Sequence, residues 1–174
     1  GALVQLVTGP TKEQTSFSGI KITNVSSAEQ MYNACMAVFA TTDIAVMSAA
    51  VADYTPVNTA TEKIKKSGGS LTIELTKTKD ILKTLGSLKK TGQLLVGFAL
   101  ETNNERENAL GKLQSKNADM IVLNSLKDAN AGFGYDTNKV TLFDISGNEH
   151  VLSLAPKKII AEEIVNIIIQ KINA

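Results

Sequence analysis

Apolar positions along this chain fall into short unbroken runs, separated by stretches where they recur at helical spacing. Leu3-Val4-Gln5-Leu6-Val7-Thr8 forms the first run, and Gly9-Pro10 stops it. Gly19 precedes a second run, Ile20-Lys21-Ile22-Thr23. Ser26-Ser27-Ala28-Glu29-Gln30 then offers overlapping capping boxes, and Met31, Ala34, Cys35 and Val38 follow on one helical face. Ile44-Ala45-Val46-Met47 predicts another buried strand. From about Asp53 to Gly69 the period is lost and Pro56 intervenes, which predicts a loop. Leu71-Thr72-Ile73-Glu74-Leu75 alternates and predicts a strand, and Asp80 heads a helix carrying Ile81, Leu82, Leu85 and Leu88. Leu94-Leu95-Val96-Gly97-Phe98 and Met120-Ile121-Val122-Leu123 are further buried strands, with a helix from about Asn104 to Ser115 between them. Asn124 to Asn138 is rich in Gly, Asn and Asp and predicts a loop. Val140-Thr141-Leu142-Phe143 and His150-Val151-Leu152 suit a hairpin through Ser146-Gly147-Asn148, and Pro156 starts a last helix that ends near Ile172.

Apolar strands alternating with helices predict an α/β fold: a Rossmann-like three-layer sandwich, mostly parallel, with an antiparallel hairpin at the C-terminus. No internal repeat or second domain stands out, so residues 1–174 read as one domain. The last helix carries Ile160, Ile164, Ile167 and Ile168 on one stripe, widened by Val165, Ile169 and Ile172. That breadth predicts deep burial or a shared subunit interface.

Composition narrows the choices. The net charge is +1, from 18 Lys plus Arg against 17 Asp plus Glu, which argues against a general nucleic-acid or membrane-surface binder. One cysteine, Cys35, and one histidine, His150, are too few for an internal disulfide or a Cys/His zinc site. No apolar run approaches a membrane span and no signal peptide is visible, so a cytoplasmic protein is expected.

In open α/β sheets, ligands bind beyond the carboxyl ends of the strands. Three segments with suitable chemistry stand there or nearby. Ser48-Ala49-Ala50-Val51-Ala52-Asp53-Tyr54 follows a strand, and its small residues let a ligand approach the backbone. Glu62-Lys63-Ile64-Lys65-Lys66-Ser67-Gly68-Gly69 places three lysines beside glycines, and lysine is a mobile point charge suited to phosphate. Lys112 and Lys116, one helical turn apart, follow the strand-end segment Gly97-Phe98-Ala99-Leu100-Glu101-Thr102-Asn103-Asn104. Each segment alone also reads as ordinary packing or solvated surface. Neither a P-loop nor a G-x-G-x-x-G turn is present, so any nucleotide is held another way. No cluster of carboxylates forms a protein-built metal cage.

Together these segments resemble the phosphopantothenoylcysteine synthetase family, whose domain is often fused to a flavin-dependent phosphopantothenoylcysteine decarboxylase. The matching pieces, in order, are Val7-Thr8-Gly9-Pro10, Ser48 to Tyr54, Lys63-Ile64-Lys65-Lys66-Ser67, Lys79-Asp80-Ile81-Leu82, Gly97 to Asn104, Lys112-x-x-x-Lys116-Asn117-x-Asp119 and Gly132-Phe133. The resemblance implies a CTP-dependent ligase joining cysteine to 4′-phosphopantothenate through an acyl-cytidylate, with Mg²⁺ accompanying the triphosphate and no flavin in this domain. It implies that Met47, Ser48, Ala49, Asp53, Lys63, Lys79, Asp80, Ile81, Leu82, Phe98, Lys112 and Lys116 bind the nucleotide. Lys63 would be the catalytic residue, Ala49 and Ala50 would abut the intermediate, and Phe133 would lie in a flap. It also implies a homodimer and a fused or associated decarboxylase.

The chain departs from the family pattern at Met47 and Lys79, where a smaller residue and a proline are common. The family's Asn-x-Ser-Ser-Gly motif has no match: Asn24-Val25-Ser26-Ser27 is followed by Ala28 and sits in the context of a later family segment. The first βα unit is therefore expected to be missing from these residues. Two other readings stay open. One is a non-catalytic nucleotide-binding module, and the other a Rossmann-like NAD(P)-dependent oxidoreductase, which the lack of a glycine fingerprint opposes.

Overall fold

The computed structural model describes residues 1–65, 68–125, 127, 131 and 134–173. It divides into two compact units, Gly1–Ala40 with Ala49–Ile81, and Thr41–Ser48 with Leu82–Ala174. The expected α/β class is what the structure shows, with a central sheet that is parallel until its closing hairpin.

In the first unit, strands β1 (Val4–Thr8) and β2 (Ile20–Asn24) pair in parallel. Helix α1 (Ala28–Phe39) follows, N-capped by Ser27, whose hydroxyl accepts from the Gln30 amide at 3.2 Å. Gln30 Oε1 in turn accepts from the Ser26 amide at 2.8 Å, so the capping box closes one residue early. Asn24 ends a strand and Ser27 caps a helix, so this Asn-x-Ser-Ser run serves local structure. Met31, Cys35 and Phe39 form the buried stripe of α1.

The remaining strands of this unit correct the sequence reading. The alternating Leu71–Leu75 run is not a strand: Leu71 and Ile73 are exposed, and only Leu75 enters one. Strand β4 (Tyr54–Pro56), within the expected loop, pairs antiparallel with β5 (Leu75–Lys77). Alternation marks a surface able to pair, but the partner decides where pairing occurs. Here the partner is three residues long and ends in a proline that has no N–H to donate.

In the second unit, five strands run in the order β3 (Ile44–Met47), β6 (Leu94–Glu101), β7 (Met120–Ser125), β8 (Thr137–Asp144) and β9 (Glu149–Pro156). β3, β6 and β7 are parallel; β8 and β9 form the expected antiparallel hairpin. Helix α2 (Ile81–Leu88) enters this unit at Leu82, and α3 (Glu105–Ser115) and α4 (Lys157–Ile172) complete it. Even-numbered strand residues Val96, Met120, Val122, Val140 and Leu142 bury against Ile160, Ile164 and Ile168 of α4. On the opposite face Ala99, Ile121, Leu123 and Phe143 pack with Ala109 and Leu113 of α3. Alternate residues of a strand face opposite ways, so continuous apolar runs are what a sheet covered on both faces requires. Each buried isoleucine of α4 contributes about 1.5–3 kcal/mol. Burial of α4 is narrower than its composition predicts. Val165, Ile169 and Ile172 are each about half exposed, at 51, 48 and 51 %.

Candidate functional site

In the second unit the end of β3 meets the middle of β6 at the register Met47↔Gly97. Met47 closes β3 and Ser48 follows it. Phe98, the next residue of β6, is partly buried against the cluster beneath α4. Leu82 packs on the other face: a Cβ added to Gly97 would lie 2.6 Å from Leu82 Cδ2 and 2.9 Å from Ile121 Cδ1. Glycine is thus required for α2 to approach this part of the sheet. Met47, Leu82 and Phe98, expected together, belong to one neighbourhood in which Gly97 is central.

Glu101 terminates β6, and sequence reasoning gave it no role. Its Oε1 lies 2.7 Å from Lys112 Nζ, and its Oε2 accepts from Asn108 Nδ2 at 2.9 Å. The same Asn108 amide donates to the Asn103 carbonyl at 2.9 Å. Asn108 and Lys112 are one helical turn apart on α3, a spacing already visible in the sequence. Lys112 is therefore anchored at the strand end. Lys116 lies a turn further along, at the C-cap of α3.

The rest of the Lys112-x-x-x-Lys116-Asn117-x-Asp119 motif has structural duties. Asn117 adopts a left-handed conformation, with φ of 48°, and donates from Nδ2 to the Gly86 carbonyl at 2.7 Å. Asp119 accepts from Lys89 Nζ at 2.8 Å and from the Leu95 amide at 2.7 Å. These bonds join the ends of α2 and α3 to the start of β6.

In the first unit the Asp53 carbonyl accepts from the Thr78 amide at 2.9 Å, and the Thr78 hydroxyl donates to the Ala52 carbonyl at 2.6 Å. This lashing brings the segment holding Ala49, Ala50 and Asp53 beside Lys79, Asp80 and Ile81. The Lys79 ammonium lies 4.7 Å from the centroid of Tyr32 and 3.9 Å from Glu29 Oε1. Lys63 and Lys65 are exposed and belong to no strand or helix. Lys66, Ser67 and the Phe133 flap lie outside the described residues.

A cleft of about 520 Å³ opens over β7, β8 and β9 near the start of α3. Its floor includes Leu123, Phe143 and Val151, and its rim carries Glu105, Arg106, Lys127, Lys139 and Glu149. Arg106 spans the Phe143 ring, at 5.7 Å, and Glu149, at 3.2 Å. Among the described residues no three His, Cys, Asp or Glu side chains converge as a metal site. No helix among them is long and apolar enough to cross a membrane.

The family model described as the DNA/pantothenate metabolism flavoprotein C-terminal domain matches residues 1–172. A cysteine/cysteine sulfinic acid decarboxylase from an unknown prokaryotic organism is 48 % identical over 95 % of this chain and 46 % of its own length. The coenzyme A biosynthesis bifunctional protein CoaBC of Bacillus subtilis is 43 % identical over 94 % of this chain and 40 % of its own. The crystal structure of a CoaBC C-terminal domain superposes with a TM-score of 0.81 at 39 % identity, covering 99 % of this chain and 76 % of that one. The chain thus spans less than half the length of these two curated relatives.

These findings correct the functional expectation. The relative whose name specifies a reaction is a decarboxylase, and none of the names speaks of a ligase, CTP or magnesium. They overturn the expectation of a phosphopantothenoylcysteine synthetase, the CTP-dependent phosphopantothenate–cysteine ligase, and with it CTP binding and Mg²⁺. The expectation of no flavin is corrected as well, because the family is described as a flavoprotein. The described cleft does not fit a flavin ring. A planar tricycle needs an apolar slot, whereas Phe143 is 3 % exposed beneath Arg106 and the rim is charged.

Proposed function

We propose, from the premise that this chain belongs to the DNA/pantothenate metabolism flavoprotein C-terminal domain family, that it is the substrate-holding portion of a larger decarboxylating protein of coenzyme A biosynthesis. The relative at 48 % identity, named for decarboxylation and about twice as long, supports this reading. Decarboxylation is assigned to the longer protein as a whole. This chain's contribution is to bind and orient an anionic pantothenate derivative, of the 4′-phosphopantothenate class and its cysteine conjugate.

The observation that carries the binding role is Lys112, fixed at the carboxyl end of β6 by Glu101. Phosphate and carboxylate need cationic donors, and strand ends of open α/β sheets are where ligands sit. Met47, Ser48, Leu82, Phe98 and Lys116 belong to the same unit, with Lys116 at the other end of α3, towards the start of β6. Ala49, Ala50, Asp53, Lys63, Lys79, Asp80 and Ile81 form a corresponding set in the other unit. The reading includes a cytoplasmic homodimer, supported by the exposed apolar stripe Val165, Ile169 and Ile172.

Calorimetric titration of the chain with 4′-phosphopantothenate and with its cysteine conjugate tests the proposal. Saturable binding, weakened about tenfold by Lys112→Gln, is expected, since one charge-assisted hydrogen bond is worth about 1.5 kcal/mol. Absence of binding, or an unchanged affinity in the variant, overturns it.

A further inference from the structure

We infer that Glu101 is a positioning residue, deciding where the Lys112 ammonium meets an anionic substrate; this rests on the binding role proposed for Lys112. Glu101 is the last residue of β6, paired across the sheet with Ser125, so its backbone is fixed by the ladder. Its side chain is 15 % exposed, against 39 % for Lys112. Both carboxylate oxygens are engaged: Oε1 with Lys112 Nζ at 2.7 Å, Oε2 with Asn108 Nδ2 at 2.9 Å. Asn108 is itself tied to the Asn103 carbonyl. A carboxylate held at both oxygens cannot swing with its partner, so it acts as a fixed post.

The lysine ammonium has three donors, and Glu101 takes one, leaving the others for a ligand. An unheld lysine loses rotamer freedom when it is fixed. Glu101 prepays that ordering before the ligand arrives. Its negative charge also sits beside the anion, so the net effect of removing it on affinity has two opposing parts. The dependence of binding on Lys112 has only one: without its post, the lysine no longer meets the ligand at a set place.

A double-mutant cycle on the full chain reads this dependence, with 4′-phosphopantothenate as the probe. Lys112→Gln is expected to weaken binding about tenfold when Glu101 is present and under about threefold in a Glu101→Gln background. The same factor in both backgrounds overturns the inference while leaving the binding role of Lys112 intact. If Lys112→Gln alone changes nothing, the binding role fails first and the inference with it. Thermal melting accompanies each variant. Should Glu101→Gln not fold, Asn108→Ala, which keeps every charge, takes its place in the cycle with the same two outcomes.

Discussion

Asp144 is the one buried charged side chain in the described core, 6 % exposed at the end of β8. Burial pushes its carboxyl up, but hydrogen bonds from the Asn148 side chain, Lys171 and the Asn148 backbone prevail and hold it down at about 2. The unfolded value is 3.8, so the folded state prefers the ionised form. Its stabilisation is complete above the unfolded value and is lost as pH falls through the folded one. The amount is on the order of 2 kcal/mol. Urea midpoints of the native protein and of Asp144→Asn should differ clearly at neutral pH and converge between about pH 4 and pH 2. A gap that persists unchanged through that window would refute the account. Cys35 shows burial acting alone, raising the thiol above its usual value and keeping it protonated. Residue roles were only partly legible in the sequence. Lys112 was singled out because lysines at helical spacing follow a strand end, and Asp119 as part of the same motif. Their contacts with Glu101, Lys89 and the Leu95 amide were not legible, because a carboxylate declares its partner only once the chain has folded.

At the level of elements, two glycines set close approaches: Gly97 admits Leu82 of α2 onto the sheet, and Gly86 lets α2 pass the end of α3. A Cβ on Gly86 would overlap the Lys116 carbonyl oxygen, where α2 passes the end of α3. Gly86→Ala is expected to destabilise by about 3 kcal/mol, read from chemical denaturation. Gly111, on the exposed side of α3, would bring an added methyl within 4 Å of nothing, so Gly111→Ala should stabilise by about 0.5–1 kcal/mol. A matching response from both substitutions would show that the Gly86 passage is looser than described. The segment between β4 and β5 offers exposed Lys63 and Lys65 outside any strand or helix. Brief trypsin digestion should cut there before it cuts α3, despite the lysines of that helix. Most elements followed from apolar periodicity, and the cap of α1 from its capping box. The β4–β5 pair escaped, because Tyr54–Pro56 is too short for a period and carries a proline.

For the whole molecule, the sequence pattern predicted the α/β class correctly from β6 and β7, which are largely buried, whereas β3, also read as buried, leaves Ile44 37 % and Val46 45 % exposed. The reaction was another matter. Ordered lysines and small-residue turns describe a place for an anionic molecule, and many reactions use such a place. One relative, about twice this chain's length, is named a decarboxylase, and no ligase is named among the relatives described. Assembly is testable at this scale. The protein, 18.5 kDa as a single chain, should sediment at twice that mass. Val165→Asp with Ile169→Asp should shift it towards the single chain without changing its circular dichroism. Sedimentation as a single chain before any substitution would remove the proposed pairing.

Lys171 reaches back from the last turn of α4 to Asp144, at 3.0 Å, and lies close to Ser146 in the hairpin turn. An exopeptidase nibbling inward past this lysine would do more than shorten a tail. It would strip the counter-ion from a carboxylate that has almost no access to water, and loosen the hairpin and the terminal helix together. Affinity handles placed downstream of Asn173 should thus be innocuous, whereas trimming back past Lys171 should make the protein prone to clumping.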